Sequence, residues 1–240
     1  MMVTIIGRGH SGTRAISHTL SASGFYMGAS LNPSGDLVPP ENMYAACRVL
    51  ARYVRHLGDA QWDFSALHDM EIPQAFRRLI EAYLASVLQH NGPNKGWKIP
   101  ETTLVYPWIA RMFPDIHYIY WIRDPRDSIL GRHVTDDLGD FGVPYEPTDH
   151  IPLRRAVSWK YQADIVRSTP RPKRLIEVRF EDFVLDQENT LKRIEAFLGV
   201  PLARIPVRPE SVGRWKSAPA EEYTFPLFDE ELVRYNYEKA

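Results

Sequence analysis

The sequence predicts an α/β fold: a P-loop-like, three-layer domain with a central parallel sheet and a helical insertion. Three observations support this prediction. The apolar run at residues 3–6 leads through a glycine-rich turn into a helical pattern. The run HYIYWI at 117–122 is rich in the aromatic and β-branched residues that favour strands. RLIEVRF at 174–180 is again followed by a helical pattern, and strands that alternate with helices are typical of parallel sheets.

Length and composition limit the kind of protein. At 240 residues the chain is at the upper end of what one domain holds, so we predict a single domain over 1–240. A net charge of −1 gives no general attraction to nucleic acid or to an anionic membrane. Cys47 is the only cysteine, which excludes a disulfide framework and favours a reducing compartment. Without a leader pattern or an apolar stretch of ~20 residues, we expect a cytoplasmic protein with no nucleic-acid or membrane partner.

The first elements follow from local spacing and turn chemistry. A helix is predicted at Thr13–Ser23, where Ile16 and Leu20 lie four positions apart. Phe25–Met27 could form a second short strand. Residues 28–40 read GASLNPSGDLVPP, and this concentration of glycine, proline and small polar residues predicts a loop.

The helical insertion is predicted at about 41–90, from helical patterns around 41–57 and 73–90. The stretch NGPNKG then breaks the chain before a short strand, WKI. Further helices are predicted from apolar spacing and stop signals: Thr103–Met112, Arg126–His133, Leu153–Ser168 and Asn189–Leu198. Residues 134–150 form a long acidic loop, of a kind that is often functional. The tail, about 201–240, is irregular, basic at first and then aromatic.

The loop GRGHSGTR at 7–14 limits which ligand the first strand and helix can bind. Gly7, Gly9 and Gly12 give the dinucleotide pattern G-x-G-x-x-G, but no acid for a ribose follows about 20 residues on. The spacing also fits an ATP-binding P-loop, yet Thr13 stands where that loop needs lysine and Arg14 where it needs Ser or Thr. Backbone amides at a helix N-terminus, with cations beside them, suit an anion that needs no metal. The alternative is a tight turn with solvated basic residues.

Four segments, in order, resemble the bacterial type of sulfotransferase that uses 3'-phosphoadenosine 5'-phosphosulfate. GRGHSGT at 7–13 is similar to the loop that holds the 5'-phosphosulfate. Residues 96–133, with a strand that ends in RDPRD, are similar to the 3'-phosphate segment. VRFEDFVLDQENTLKRIEAFLGVP at 178–201 and SVGRWK at 211–216 resemble two further elements of the family. The resemblance implies a P-loop-like fold, this nucleotide as the sulfuryl donor, and no metal.

The resemblance also implies two groups of donor-binding residues. The group on the 5'-side is Arg8, Gly9, His10, Ser11, Gly12, Thr13 and Arg14. The group on the 3'-side is Arg123, Gly131, Arg132, Arg208, Gly213 and Arg214. The chain departs from the family at two of these positions, because His10 replaces a frequent Lys or Arg and Gly131 replaces a phosphate-binding serine. For Arg123, the alternative is a surface ion pair with Asp124 or Asp127.

Catalytic roles are implied for a lysine and a carboxylate. By the resemblance, Lys98 would stabilise charge on the bridging oxygen as the S–O bond breaks. Transfer to a hydroxyl needs a base, and the sequence leaves Glu101, Asp36 and Glu41 open as candidates. His133 is a weaker candidate, because a histidine on a helix is more often structural.

The predicted function is in-line transfer of a sulfuryl group to an acceptor hydroxyl on a sugar or small molecule. The acceptor site is expected in the segments 28–95 and 134–150 and in the aromatic tail, because the four recognised segments serve the donor. Two alternatives remain open: a P-loop nucleotide kinase or hydrolase, and a non-catalytic nucleotide-binding protein that kept the same fold.

Overall fold

The computed structural model describes residues 1–219 and 223–238. Its central sheet has four parallel strands in the order β4–β1–β5–β6. The strands are β1 (Met2–Ile6), β4 (Lys95–Lys98), β5 (His117–Ile122) and β6 (Leu175–Arg179). Two other strands, β2 (Arg55–Gly58) and β3 (Gln61–Asp63), form a separate antiparallel hairpin. The predicted α/β fold with a central parallel sheet is confirmed.

Helices surround this sheet, and several are short. They are α1 (Thr13–Ala22), α2 (Glu41–Ala51), α3 (Ala66–Asp69), α4 (Gln74–Tyr83), α5 (Ala85–Gln89), α6 (Tyr106–Met112), α7 (Pro125–Ser128), α8 (Ile151–Ser168), α9 (Phe180–Leu185), α10 (Gln187–Leu198) and α11 (Asp229–Arg234). Single turns of 3-10 helix precede or connect them, among them 100–105, 134–136 and 214–217. No helix in the described part of the chain is long and apolar enough to cross a membrane.

The side chains of the sheet alternate between two cores. Ile6 and Tyr118 belong to a core that is shared with α2, α4, α6 and α8. Ile5 and Ile119 belong to a second core that is shared with α1, α9 and α10. Successive residues of a strand point to opposite faces, so a strand with helices on both faces is apolar along its whole length. This gives the three layers that the sequence predicted.

Parallel pairing places the functional segments at one edge of the sheet. Ile6 pairs with Tyr120 and Ile5 with Lys98, so β1, β4 and β5 end close together. Ile122 pairs with Arg179 at the end of β6. The glycine-rich loop, Lys98 and the segment after Ile122 therefore lie at the carboxyl edge of the sheet, where ligands of open α/β folds bind.

The predicted insertion contains a hairpin that the helical pattern did not reveal. The helix predicted around 41–57 ends at Ala51, and residues 55–63 turn back on themselves as β2 and β3. Gly58, Asp59 and Ala60 all have positive φ, which forms the tight turn. Trp62 is buried, while Gln61 and Asp63 on either side of it are more exposed. This alternation is typical of a strand with one buried face.

Three other predicted elements are shorter than expected. The helix predicted at Arg126–His133 ends at Ser128 as α7, and His133 begins a new 3-10 turn. Phe25–Met27 forms one bridge, from Tyr26 to Lys95, rather than a full strand. The predicted helix Thr103–Met112 is regular α-helix from Tyr106, after a 3-10 segment.

The tail packs back onto the body. Phe228, Leu232 and Tyr237 are buried against Trp159 of α8. Tyr237 donates a hydrogen bond from its hydroxyl to Glu181 (2.9 Å). The predicted tail at about 201–240 includes residues 220–222 and 239–240, which lie outside the described residues. The rest of it contains only short helical segments, as the sequence indicated.

Candidate functional site

A cavity of about 410 Å³ opens at the carboxyl edge of the sheet. Its walls come from the glycine-rich loop, α1, the loop before α2, the end of β4, the segment after β5 and the first part of the tail. The charged residues of the lining are Arg14, Asp36, Lys98, Arg123, Arg208 and Arg214, together with the histidines His10, His18 and His133. Among the described lining residues, five side chains are cationic and one is a carboxylate. The cavity is therefore suited to a polyanion of nucleotide size.

The glycine-rich loop presents the start of α1 to this cavity. Gly12 has a left-handed backbone (φ 86°), and α1 begins directly after it at Thr13. No side chain caps α1, which leaves its first amides for a ligand. Gly9, His10, Gly12, Thr13 and Arg14 all line the cavity, as the sequence predicted for an anion-binding loop.

Arg8 and Ser11, also predicted to bind the donor, instead point into the protein. Arg8 is 4% exposed, and its guanidinium donates to the carbonyls of Gly9 (2.9 Å) and Ser128 (2.7 Å) and forms an ion pair with Asp136. Burial lowers the pKa of Arg8 to about 10, which Asp136 opposes, so the side chain is still charged at neutral pH. Neither residue lines the cavity. Their contacts hold the loop in shape rather than contribute to its ligand surface.

Two glycines of the loop are required by side chains that pack on them. A Cβ on Gly9 would lie 2.1 Å from the His133 ring. A Cβ on Gly12 would lie 2.4 Å from the Phe180 ring and would also strain its left-handed backbone. The resemblance implies only that these glycines belong to the group on the 5'-side of the donor. The structure adds that they make room for His133 and Phe180.

Arg123 follows β5 and lines the cavity. Its guanidinium lies 4.5 Å from the centre of the Phe180 ring and donates to the carbonyl of His10 (2.9 Å). It also contacts the carbonyl of Ser211 and forms an ion pair with Asp127 (3.2 Å). Arg123 is therefore paired with Asp127, but the pair is buried rather than at the surface, and Arg123 also lines the cavity.

The tail reaches the cavity through contacts to α7. Backbone amides of Gly213 and Trp215 donate to the two carboxylate oxygens of Asp127, each at 2.9 Å. The Trp215 ring lies 3.5 Å from the guanidinium of Arg126, which is itself held by Asp124 at 2.7 and 3.0 Å. These contacts place Arg208 and Arg214 in the lining, while Gly213 lies behind it. From the sequence, Asp127 is only a possible ion-pair partner of Arg123, because the two amides that it accepts from lie 86 and 88 positions away.

Gly131 and Arg132 do not line the cavity. The Arg132 side chain is exposed, and its carbonyl lies 2.5 Å from Nε2 of His10. A Cβ on Gly131 would lie 2.6 Å from the His10 ring. The two residues therefore support the His10 ring, which occupies the space between them and the cavity. Burial lowers the pKa of His10, which favours its neutral form.

Lys98 and Asp36 form a buried ion pair at the wall of the cavity. Lys98 is 3% exposed and donates from Nζ to Asp36 Oδ1 (2.6 Å) and to the Ser34 carbonyl (3.1 Å). The side chain of Asn32 donates to the other oxygen of Asp36 (2.9 Å). Burial lowers the pKa of Lys98, and the charge of Asp36 opposes this.

The other two predicted bases lie outside the lining. Glu101 is 2% exposed in the turn after β4, and burial raises its pKa to about 7, with a further contribution from the charge of Asp36. Glu41 is exposed in the first turn of α2. Asp36 is thus the one carboxylate among the described lining residues. His133, which the sequence placed on a helix, instead lines the cavity from the turn after α7.

No group of three or more potential metal ligands (His, Cys, Asp or Glu) occurs within residues 1–219 and 223–238.

Comparison with known proteins points to one family. The family model described as "Sulfotransferase family" matches residues 3–204. A sulfotransferase domain from the curacin biosynthetic pathway has a similar structure, with a TM-score of 0.62 at 15% identity over 99% of this chain and 98% of that one. The sulfotransferase domain of the Synechococcus PCC 7002 olefin synthase gives 0.57 at 17% identity over 100% and 95%. Sulfotransferase STF9 from Mycobacterium avium gives 0.53 at 16% identity over 98% and 77%. A comparison with curated protein sequences finds no match.

Proposed function

The chain belongs to the sulfotransferase family, and on this basis we propose that it transfers a sulfuryl group from 3'-phosphoadenosine 5'-phosphosulfate to an acceptor hydroxyl. One observation supports the proposal most strongly: five cationic side chains from four separate segments line the same cavity as the uncapped start of α1. The proposed donor carries a phosphosulfate at one end and a 3'-phosphate at the other. Cations and backbone amides can neutralise such an anion without a metal ion.

The two ends of the donor have separate partners in this proposal. The amides at the start of α1 and the side chain of Arg14 bind the 5'-phosphosulfate. Arg123, Arg208 and Arg214 bind the 3'-phosphate. Because Arg123 is fixed by Asp127 and stacked on Phe180, it is held in place before the ligand arrives.

Asp36 and Lys98 carry the chemical step. The acceptor oxygen attacks sulfur, and its proton passes to a carboxylate oxygen of Asp36, which acts as general base. The bond between sulfur and the bridging oxygen breaks, and its electron pair stays on the 5'-phosphate. The ammonium of Lys98 stabilises the charge that develops there. The products are the sulfated acceptor and adenosine 3',5'-bisphosphate.

The proposed acceptor is a sugar or another small molecule. A net charge of −1 provides no broad basic surface for a polyanionic acceptor, because the cations of the site are already concentrated around the donor. The protein is proposed to act in the cytoplasm, with no nucleic-acid or membrane partner.

Calorimetric titration with adenosine 3',5'-bisphosphate in EDTA, beside a titration with Mg·ATP, tests the donor. We expect micromolar binding of the bisphosphate without metal. Binding of Mg·ATP alone would replace this proposal with that of a kinase or nucleotide hydrolase.

Arginine variants test which residues bind the bisphosphate. Arg214→Gln, at an exposed position of the lining, is expected to weaken binding of the bisphosphate. Arg52→Gln is the matched control, because Arg52 is exposed at the end of α2 and lies outside the cavity. An Arg123→Ala variant that remained folded and kept wild-type affinity would contradict the assignment of the 3'-phosphate site.

A further inference from the structure

His133 lies between the glycine-rich loop and the body of the protein. It precedes the 3-10 turn 134–136, and its ring both lines the cavity and packs directly on Gly9. One ring nitrogen, Nδ1, faces inward to Thr135. The other, Nε2, makes no hydrogen bond to any described residue. The groups around Nδ1 determine which nitrogen of this ring carries a proton.

A directional chain of hydrogen bonds ends at Nδ1. The side-chain amide of Gln162 lies 3.3 Å from the carbonyl of Ser158, which can only accept, so the nitrogen of the amide is the atom at this position. The same nitrogen donates to the hydroxyl of Thr135 (3.2 Å) and lies 3.1 Å from the hydroxyl of Ser158, so its two protons are shared among three acceptors. Because the Thr135 hydroxyl accepts from Gln162, its own proton is free to point to Nδ1 of His133 (2.9 Å).

The backbone adds a second donor to the same nitrogen. The amide N–H of Thr135 donates to Nδ1 of His133 (3.2 Å). Thr135, Ser158 and Gln162 are all buried, so water does not compete for these groups. With two donors directed at it, Nδ1 carries no proton. A neutral ring must then carry its proton on Nε2.

The charges around the ring keep it neutral. Arg8 and His10 of the glycine-rich loop and Lys98 at the end of β4 all disfavour a second proton. The Asp136 carboxylate accepts from the backbone amide of His133 (2.8 Å), but it is already paired with Arg8 and Arg155. Burial and these cations lower the pKa of His133 to about 3.

We propose that His133 donates a hydrogen bond from Nε2–H to a non-bridging oxygen of the sulfuryl group, and so acts on the transferred group rather than as the base. This inference rests on the proposed function. His133 does not exchange a proton in the reaction, and no bond to it is made or broken. Because the ring packs on Gly9 of the glycine-rich loop and feels the charge of Lys98, we assign it to the sulfuryl end of the donor and not to the end held by Arg208 and Arg214.

Long-range ¹H–¹⁵N spectra of the histidine-labelled full chain test the state of the ring. We expect a protonated Nε2 and an unprotonated Nδ1 for His133 throughout pH 6 to 8. Assignment of the proton to Nδ1, or an imidazolium in this range, would overturn the inference. This readout does not depend on any ligand.

Binding of two nucleotides, one with and one without the sulfuryl group, tests whether His133 contacts that group. His133→Phe keeps an aromatic ring but removes both the Nε2 donor and the Nδ1 acceptor of Thr135. Loss of a hydrogen bond to a charged group predicts weaker binding of 3'-phosphoadenosine 5'-phosphosulfate by about tenfold or more. Binding of adenosine 3',5'-bisphosphate, which lacks the sulfuryl group, is expected to stay within about twofold. His133→Gln, whose amide can donate near the position of Nε2, is expected to recover part of the loss.

His150→Phe is the matched control, because His150 also accepts a backbone N–H at Nδ1 (Leu153, 3.1 Å) but caps α8 outside the cavity. We expect no change in either affinity for this variant. Equal losses for both ligands in His133→Phe, or no loss for either, would overturn the inference. Failure of the wild-type protein to bind either nucleotide would instead reject the proposed function, and with it the sulfuryl group as the partner of His133.

Discussion

At the scale of single residues, the ion pair of Asp36 and Lys98 determines where chemistry can occur. The pair is buried at the cavity wall with Nζ and Oδ1 2.6 Å apart. Asp36→Asn removes the proposed base while preserving the shape of the side chain. We expect sulfuryl transfer to fall about 100- to 10,000-fold. The measurement is transfer of labelled sulfuryl to the best acceptor in a panel of sugars and small alcohols.

Two comparisons test whether the loss of transfer in Asp36→Asn comes from removal of the base. Binding of adenosine 3',5'-bisphosphate is expected to survive in Asp36→Asn, because the base serves the acceptor. Glu41→Gln is the control, since Glu41 is an exposed carboxylate outside the lining. Full transfer by Asp36→Asn, with loss in Glu101→Gln, would move the base to Glu101.

Glu101 makes the stability of the fold depend on pH. Its folded pKa is about 7, above the value of 4.5 expected for an unfolded glutamate. Between these values the folded chain holds a proton that the unfolded chain has lost, so the free energy of unfolding falls as pH rises from 4.5 to 7. The expected contribution is about 3 kcal/mol. Glu101→Gln should therefore be more stable relative to wild type at pH 8 than at pH 5.

Urea denaturation of both proteins at pH 5 and pH 8 measures this difference. Glu71→Gln, at an exposed position of the chain, is expected to keep the pH dependence of the wild type. An unchanged pH dependence in Glu101→Gln would mean that Glu101 is ionised in the folded protein at neutral pH.

At the scale of elements, α7 connects β5 to the tail. Asp127 accepts hydrogen bonds from the amides of Gly213 and Trp215 and from Arg123. Asp127→Asn would turn a donor toward one of these N–H groups, with an expected cost of about 1–3 kcal/mol. Because these contacts also position Arg214, affinity for adenosine 3',5'-bisphosphate should fall together with the free energy of unfolding.

A variant that is destabilised outside the site separates the effect on affinity from the effect on the free energy of unfolding. Asp186→Ala removes the side-chain cap of α10 and is expected to cost about 1 kcal/mol. It should leave affinity for the bisphosphate unchanged in calorimetric titration. If Asp127→Asn kept wild-type affinity despite lower stability, the tail would not contribute to the donor site.

The elements that the sequence predicted well are those with local signals. HYIYWI forms β5 over the predicted residues 117–122, because aromatic and β-branched residues in a run favour a strand in any α/β context. The hairpin at 55–63 was missed, because its three- and four-residue strands show too little alternation to outweigh a helical pattern. The helix predicted at Arg126–His133 ended early, because His133 accepts from the Thr135 amide and starts a new turn.

In the candidate site, too, residues with local sequence signals could be placed, and residues that depend on distant partners could not. Arg123 could be placed at the carboxyl edge from sequence, since it follows a buried parallel strand, and Lys98 was placed by the resemblance; both line the cavity. Arg8 could not be placed, because its inward direction depends on Asp136, which lies 128 positions away. His133 is hydrogen-bonded to its near neighbour Thr135, whose hydroxyl in turn contacts Gln162 of α8, 27 positions away.

At the scale of the whole molecule, a chain of near-neutral net charge brings five cationic side chains and one carboxylate of its described residues together in the cavity at the carboxyl edge of the sheet. The loop, β4, the segment after β5 and the tail each supply part of the cavity. A ligand that binds all of these segments should therefore stabilise the folded chain as a unit. Binding of a ligand at 100 times its Kd adds about 2.7 kcal/mol to the free energy of unfolding.

This stabilisation predicts a metal-independent rise in Tm. For a chain of this size, adenosine 3',5'-bisphosphate at 100 times its Kd should raise Tm by roughly 5–10 °C in EDTA. Scanning calorimetry of wild type and Arg214→Gln at one fixed ligand concentration measures it, with a smaller rise expected for the variant because its Kd is larger. Arg52→Gln should show the wild-type rise. A rise that required Mg²⁺, or that was equal in wild type and Arg214→Gln, would mean that the ligand is not held by the cations of this cavity.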